Sequence, residues 1–140
     1  MAARVRIRLR SGSNEVESSA LLNSGFETDS PDVAVPVRVA RALGLWPPSR
    51  MGELITLDTG GGEAEAYLFE GAAELELVLE DRRIKPILVN VIVNPSIGEI
   101  LLSDYVASEL GIVLLDFKRG LWRLNDEDKV RTSVELSEWR

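Results

Sequence analysis

A seven-residue segment occurs twice in this chain, and the repetition constrains the fold more than any other feature. Val39-Ala40-Arg41-Ala42-Leu43-Gly44-Leu45 matches Val106-Ala107-Ser108-Glu109-Leu110-Gly111-Ile112, with Val, Ala, Leu and Gly identical and the last position conservatively changed. The same spacing of 67 positions pairs Val33-Ala34-Val35 with Ile100-Leu101-Leu102. Apolar residues at roughly helical spacing that end on Gly-aliphatic read as a short helix with a glycine stop. Pro36 suits the first turn of the first helix, and Ser103 can cap the second. Each copy is expected to be a short strand feeding a helix, and the 140 residues to form one domain of two similar halves. Coincidence in an Ala/Leu/Gly-rich chain is the competing account, because helix ends commonly take glycine.

Most of the remaining chain carries strand patterns. Residues 3–10 alternate, and Ser11-Gly12-Ser13-Asn14 supplies a turn into a second strand at 16–22. That hairpin delivers Asn23-Ser24-Gly25 at its end, followed by the polar loop Phe26–Asp32. Residues 53–57 and 63–69 read as two strands joined by Asp58-Thr59-Gly60-Gly61-Gly62, whose glycines predict a mobile hairpin tip. Residues 73–79 and 84–93 read as a further apolar pair around Glu80-Asp81-Arg82-Arg83. Asn94-Pro95-Ser96-Ile97-Gly98 is a turn, and 112–117 and 121–124 are closing strands. The polar segment 125–140 reads as a tail outside the domain at 1–124, either frayed or docked through Val134, Leu136 and Trp139.

Composition removes several chemistries. Cysteine and histidine are both absent, which excludes disulfides, cysteine nucleophiles, Ser-His-Asp triads and the usual zinc sites. An all-oxygen Mg²⁺ or Ca²⁺ site stays open; no cofactor is expected. The net charge of −7 argues against duplex nucleic acid as a partner. Arg4, Arg6, Arg8 and Arg10 share one strand face, and a solvated face or edge is favoured for them over a phosphate-binding stripe. No apolar run approaches the ~18 residues that cross a membrane. Charges at every second position of the N-terminus interrupt any signal-peptide core, so the expected location is the cytoplasm. Depletion of thermolabile residue types leans toward a thermophilic source.

The order of these elements resembles the retropepsin-like aspartic peptidases, including cellular and prokaryotic members of that group. The resemblance covers most of residues 3–124. It rests on Leu21-Leu22-Asn23-Ser24-Gly25, on the strand-Pro-helix segment from Val33 to Leu45, on a glycine-tipped hairpin at the place of the flap, and on Ile100-Leu101-Leu102 leading into Asp104–Ile112. The run Asp116-Phe117-Lys118-Arg119-Gly120-Leu121-Trp122-Arg123 fits as well. The fold this implies is mainly β, a closed psi-loop barrel with one or two short helices. The activity implied is hydrolysis of peptide bonds by a homodimer, because one chain offers one catalytic turn and the second must come from a symmetric partner.

Two departures from the family pattern bear on chemistry. Asn23 stands where the family carries the catalytic Asp, and Ser103 stands where a glycine usually precedes the second helix. Aspartic peptidases use two carboxylates sharing one proton, one acting as base on water and the other polarising the scissile carbonyl. An amide donates and accepts hydrogen bonds but is no base. A dimer with Asn23 on both chains is expected to bind a peptide or protein substrate and cleave it negligibly, whether Asn23 is a natural loss or an Asp→Asn change that disables an enzyme. In the family picture Ser24 bonds across the two-fold axis and Gly25 permits the turn. Glu27 and Asp29 are candidate substrate contacts, with a solvated loop as the alternative. Thr59, Gly60 and Gly61 would touch substrate from the flap. Asp58-Thr59-Gly60 matches the family triplet to the letter, but its polar surroundings place it at a hairpin tip. Trp46 and Trp122 read as core or interface anchors, and Asp104 as a capping residue. Three readings stay open: the peptidase fold without its acid, a non-catalytic peptide-binding or dimerisation module on the same scaffold, and an unrelated β protein in which Asn-Ser-Gly is only a turn.

Overall fold

A computed structural model describes residues 2–23, 25–48, 52–59 and 62–140. The first hairpin forms as its alternation dictates. β1 (Arg4–Ser11) and β2 (Asn14–Leu22) pair antiparallel, with Val5, Ile7 and Leu9 buried and the arginines outside. β3 (Asp32–Val35) follows and is buried along its whole length. It leads through Pro36 into α1 (Val37–Ala42). β4 (Glu53–Thr59) and β5 (Gly62–Leu77) make a long hairpin whose last paired residues are Thr59 and Gly62. The expected mobile tip at Gly60 and Gly61 lies outside the described residues. β6 (Ile87–Val93), β7 (Ile100–Leu102) and α2 (Asp104–Glu109) complete the second half. β8 (Ile112–Asp116), β9 (Leu121–Leu124) and β10 (Arg131–Thr132) form a separate three-stranded sheet.

Six strands close into a barrel in the order β1-β2-β7-β3-β6-β5, and β5 returns to β1 through the pairs Leu75↔Leu9 and Leu77↔Ile7. The fold is therefore mainly β, with a closed barrel and two short helices. β4 lies beyond β5 as the terminal strand of its sheet.

The repeat is expressed as a pseudo-two-fold. β3 and β7 run antiparallel with Ala34 opposite Leu101, so residues equivalent in the repeat face each other across the axis. Each half then lends its short strand to the other. β2 pairs parallel with β7, setting Leu22 beside Leu102, and β6 pairs parallel with β3, setting Val93 beside Val35. Both helices end in a left-handed glycine, Gly44 at φ 78° and Gly111 at φ 77°. That conformation costs a Cβ-bearing residue about 1 kcal/mol or more. The stop shared by the two segments thus has a backbone cause.

One expectation is corrected, and one open alternative is decided. Residues 63–69 and 73–79 are not separate strands, because β5 runs on through Leu77 with a register shift between Phe69 and Ala73. Gly71 breaks the pattern at φ 55°, and its N–H donates to the Asn90 side-chain oxygen at 2.9 Å. A side chain therefore replaces the missing ladder partner and the strand continues. Of the two alternatives for the tail, docking is the one observed, with Val134 and Trp139 among its anchors. Val134 N–H donates to Arg4 O, Ser137 and Ser19 exchange hydrogen bonds at 2.7 and 3.0 Å, and the Trp139 indole donates to Ser18 Oγ at 2.9 Å. Leu136 stays exposed.

The arginine stripe is an ion-pair ladder. Arg4 meets Glu99, Arg6 meets Glu17, Arg8 meets Glu17 and Glu76, and Arg10 meets Glu15. A second network joins the segment after β5 to the tail. Arg131 lies over the Trp122 ring and bonds Asp81 and Glu127, while Arg82 bonds Asp126 and Glu127. Arg131, with Lys129 second, holds the Asp81 carboxyl well below the usual carboxylate range. Arg131 also lowers the Glu127 carboxyl, and Arg82 lowers that of Asp126. A carboxyl depressed in the folded state stabilises above its unfolded pKa of about 4, and that stability disappears as pH falls through the folded value. The thermal midpoint is expected to be flat near neutrality and to drop below about pH 4. Arg131→Ala should make the acid limb of a midpoint-versus-pH series shallower. Identical slopes for the two proteins would contradict this role.

Candidate functional site

β2 ends at Leu22 because its parallel partner β7 ends at Leu102, and the chain there turns sharply. Asn23 organises the turn. Its Oδ1 accepts from Gly25 N–H at 3.1 Å and its carbonyl accepts from Phe26 N–H at 3.0 Å. Its own N–H points to Leu102 O at 3.5 Å. This is an Asx turn, in which a side-chain oxygen imitates a backbone acceptor. Ser24, expected to bond across a two-fold axis, lies outside the described residues.

The other half carries the same arrangement. Asn94 follows Val93 at the end of β6. Its Oδ1 accepts from Ser96 N–H at 2.9 Å, its carbonyl faces Ile97 N–H at 3.4 Å, and its N–H donates to Val35 O at 3.0 Å. Leu102 and Val35 are equivalent in the repeat, so Asn23 and Asn94 are equivalent too. The turn that follows Asn94 is shorter than the one that follows Asn23, which moves the spacing away from 67 at this point.

α2 fixes the loop after Asn23. Ser103 Oγ accepts from Val106 N–H at 3.3 Å and caps the helix. Asp104 N–H donates to Phe26 O at 3.0 Å, and its Oδ1 accepts from Thr28 N–H at 3.1 Å and Tyr105 N–H at 2.8 Å. Ser103 N–H reaches Asp32 O at 3.3 Å. Loop and helix start are therefore one hydrogen-bonded unit. Ser103→Ala is expected to destabilise the fold by about 1 kcal/mol, read as a lowered denaturant midpoint at unchanged slope. A midpoint equal to that of the unaltered protein would remove the cap from the account.

Both asparagines line a cavity of about 700 Å³ beneath the β4–β5 hairpin. Phe26, Ala34, Ile55, Leu57, Leu68 and Ile92 form its apolar walls. Asn23, Asn94, Glu27, Asp32, Glu70 and Asn90 supply its polar groups. Ile55 and Leu57 reach it from β4 because alternate residues of that strand point inward.

No protein-family model matches this chain, and no curated protein matches it.

The residues singled out from sequence fall in different places. Asn23, Gly25 and Glu27 are brought together on the cavity. Asp29 is exposed and does not line it. Thr59 ends β4 in pairing with Gly62; Gly60 and Gly61 lie outside the described residues. Trp122 is buried, and Trp46 packs edge-on against Tyr67 with ring centroids 5.4 Å apart.

From sequence, Asp32 belongs with Glu27 and Asp29 to an acidic loop group able to contact substrate or a cation, but only Glu27 and Asp29 stand out as site residues, and Glu70, Asn90 and Asn94 do not. Asp32 is only 8% exposed. Its Oδ2 accepts from Ser30 Oγ and its Oδ1 from Asn90 Nδ2, both at 2.9 Å. The two-half reading already sets the turn near Asn94–Gly98 as the counterpart of Asn23-Ser24-Gly25, without marking Asn94 as a site residue. Asn90 and the segment at Glu70 come together at the bulge, where Asn90 Oδ1 accepts from Gly71 N–H, and no local pattern announces it. Among the described residues no group of acids is arranged to hold a metal ion, and no helix is long and apolar enough to cross a membrane.

Proposed function

We propose that this protein binds extended peptide segments, as a homodimer on a retropepsin-like scaffold, and does not hydrolyse them. The observation that carries the reading is Asn23. It follows the buried Leu22 at the end of β2 and lines a cavity roofed by a hairpin, where an acid would be needed for hydrolysis. Its Oδ1 is already committed to Gly25 N–H. The Nδ2 amide, with no hydrogen bond among the described residues, is left as a donor for a ligand carbonyl. The barrel order, the two parallel pairings and the two strand-helix units support a retropepsin-like fold.

Two edges support the binding mode. β4 is hydrogen-bonded only to β5 among the described strands, so its other edge can add a peptide strand by main-chain hydrogen bonds. β8 is the terminal strand of the second sheet, and Leu115 and Phe117 beside it are exposed at 46% and 56%. A hollow of about 410 Å³ between α2 and β8 includes Asn23 and Phe117. The proposed dimer contact is at this face, with the two Asn23 turns meeting across it.

The test combines two measurements on the unaltered protein. Sedimentation is expected to show a dimer, and fluorescence anisotropy is expected to show binding of labelled extended peptides with no fragments after long incubation. A monomer at every concentration together with no peptide binding would overturn the reading.

A further inference from the structure

The geometry points to a specificity for the cavity at Asn23: it selects peptides through a lysine or arginine side chain, whose cation is held by Asp32 and Glu70 with Glu27 at the rim. This rests on the peptide-binding reading above and adds the chemical class of the ligand. The first argument is charge. Every charged residue lining the cavity is an acid. Elsewhere the protein matches its acids with arginines, as the β1 ladder and the Asp81–Arg131 network show. Among the described residues no ion pair involves Glu27, Asp32 or Glu70. Asp32 is nearly buried, yet its two oxygens take hydrogen bonds only from the neutral Ser30 hydroxyl and Asn90 amide. A carboxylate removed from water attracts a cation more strongly than an exposed one does.

The second argument is position. Asn90 links the acids. Its Nδ2 donates to Asp32 Oδ1, and its Oδ1 accepts from the N–H of Gly71, the neighbour of Glu70. One side chain therefore holds the bulge and the buried carboxylate at the same end of the cavity. The third argument is shape. Ile55, Leu57, Leu68 and Ile92 line the approach, and an aliphatic stem can lie along them while its charged head reaches the acids.

The experiment uses three labelled extended peptides that differ at one central residue, Arg, Ala or Glu, with anisotropy as the readout. The Arg peptide is expected to bind roughly tenfold or more tightly than the Ala peptide, and the Glu peptide weakest. Glu70→Gln, at an exposed position, should reduce the Arg preference several-fold. Asp32→Asn should reduce it further, with its melting curve reporting that the protein remains folded. Equal binding of the three peptides overturns the charge selection and leaves the peptide reading standing. A preference that survives both substitutions overturns the assignment to these acids. Failure of all three peptides to bind overturns this proposal and the reading it rests on.

Discussion

If the protein is the non-hydrolysing peptide binder proposed above, replacing Asn23 by Asp is expected to give it a peptide-hydrolysing activity. Oδ1 of an aspartate can accept from Gly25 N–H as Oδ1 of asparagine does, so the turn is preserved. What changes is the second atom: a donor amide becomes an oxygen able to take a proton from water. In a dimer two such carboxylates would face each other, and like charges at close range cannot both ionise comfortably. One would stay protonated and polarise the carbonyl while the other acts as base. General acid–base groups contribute about 10²- to 10⁴-fold in rate, and cleavage of quenched peptides is expected to rise by at least the lower figure. The pH profile should be bell-shaped on the acid side of neutrality. A folded, peptide-binding Asn23→Asp dimer with no cleavage across that range would show that the turns do not meet as proposed.

The second large effect is structural. Leu102 is fully buried and sits where the two halves interlock, beside Leu22 on one side and Val33 on the other. Leu102→Ala leaves a cavity between three strands that the barrel cannot easily collapse. Such substitutions cost about 2–5 kcal/mol, out of a total stability of about 5–15 kcal/mol for a typical domain. Thermal unfolding should shift down by roughly 10 °C, at a few degrees per kcal/mol for a chain of this size. Leu88→Ala, at an exposed position on β6, should stay within about 0.5 kcal/mol. Equal midpoints for the two variants would mean that Leu102 is not at the centre of the core.

The contrast between these leucines shows what a sequence can reveal. The strand-helix units were legible because each ends in a glycine that the backbone requires at φ near 78°, so pattern and cause coincide. β1 and β2 were legible because alternation with arginine allows only one face inward. β5 was misread at Gly71, where the repair comes from Asn90 on another strand and leaves no local trace. The tail was left between fraying and docking for a related reason. Its anchors are Ser137 and Trp139 bonding Ser19 and Ser18, and a serine looks equally at home in solvent. The cavity was half visible. Asn23, Gly25 and Glu27 belong to one turn and announce themselves together, whereas Asp32, Glu70, Asn90 and Asn94 converge only after four strands have paired. Asp32 illustrates the limit: beside Asp29 it reads as one more loop acid, and only the pairing of β3 with β6 puts it against Asn90.

The exchange of short strands between the halves has a consequence for how the chain reaches this state. Ala20, Leu21 and Leu22 have no parallel neighbour until residues 100–102 exist, and β3 has none until β6 does. Neither half can satisfy its own central ladder, so neither is a folding unit, despite the likeness of their sequences. Contact order is correspondingly high, and folding rates fall as contacts span longer stretches of chain. A ribosome making this protein must deliver nearly all of the barrel before any of it can close.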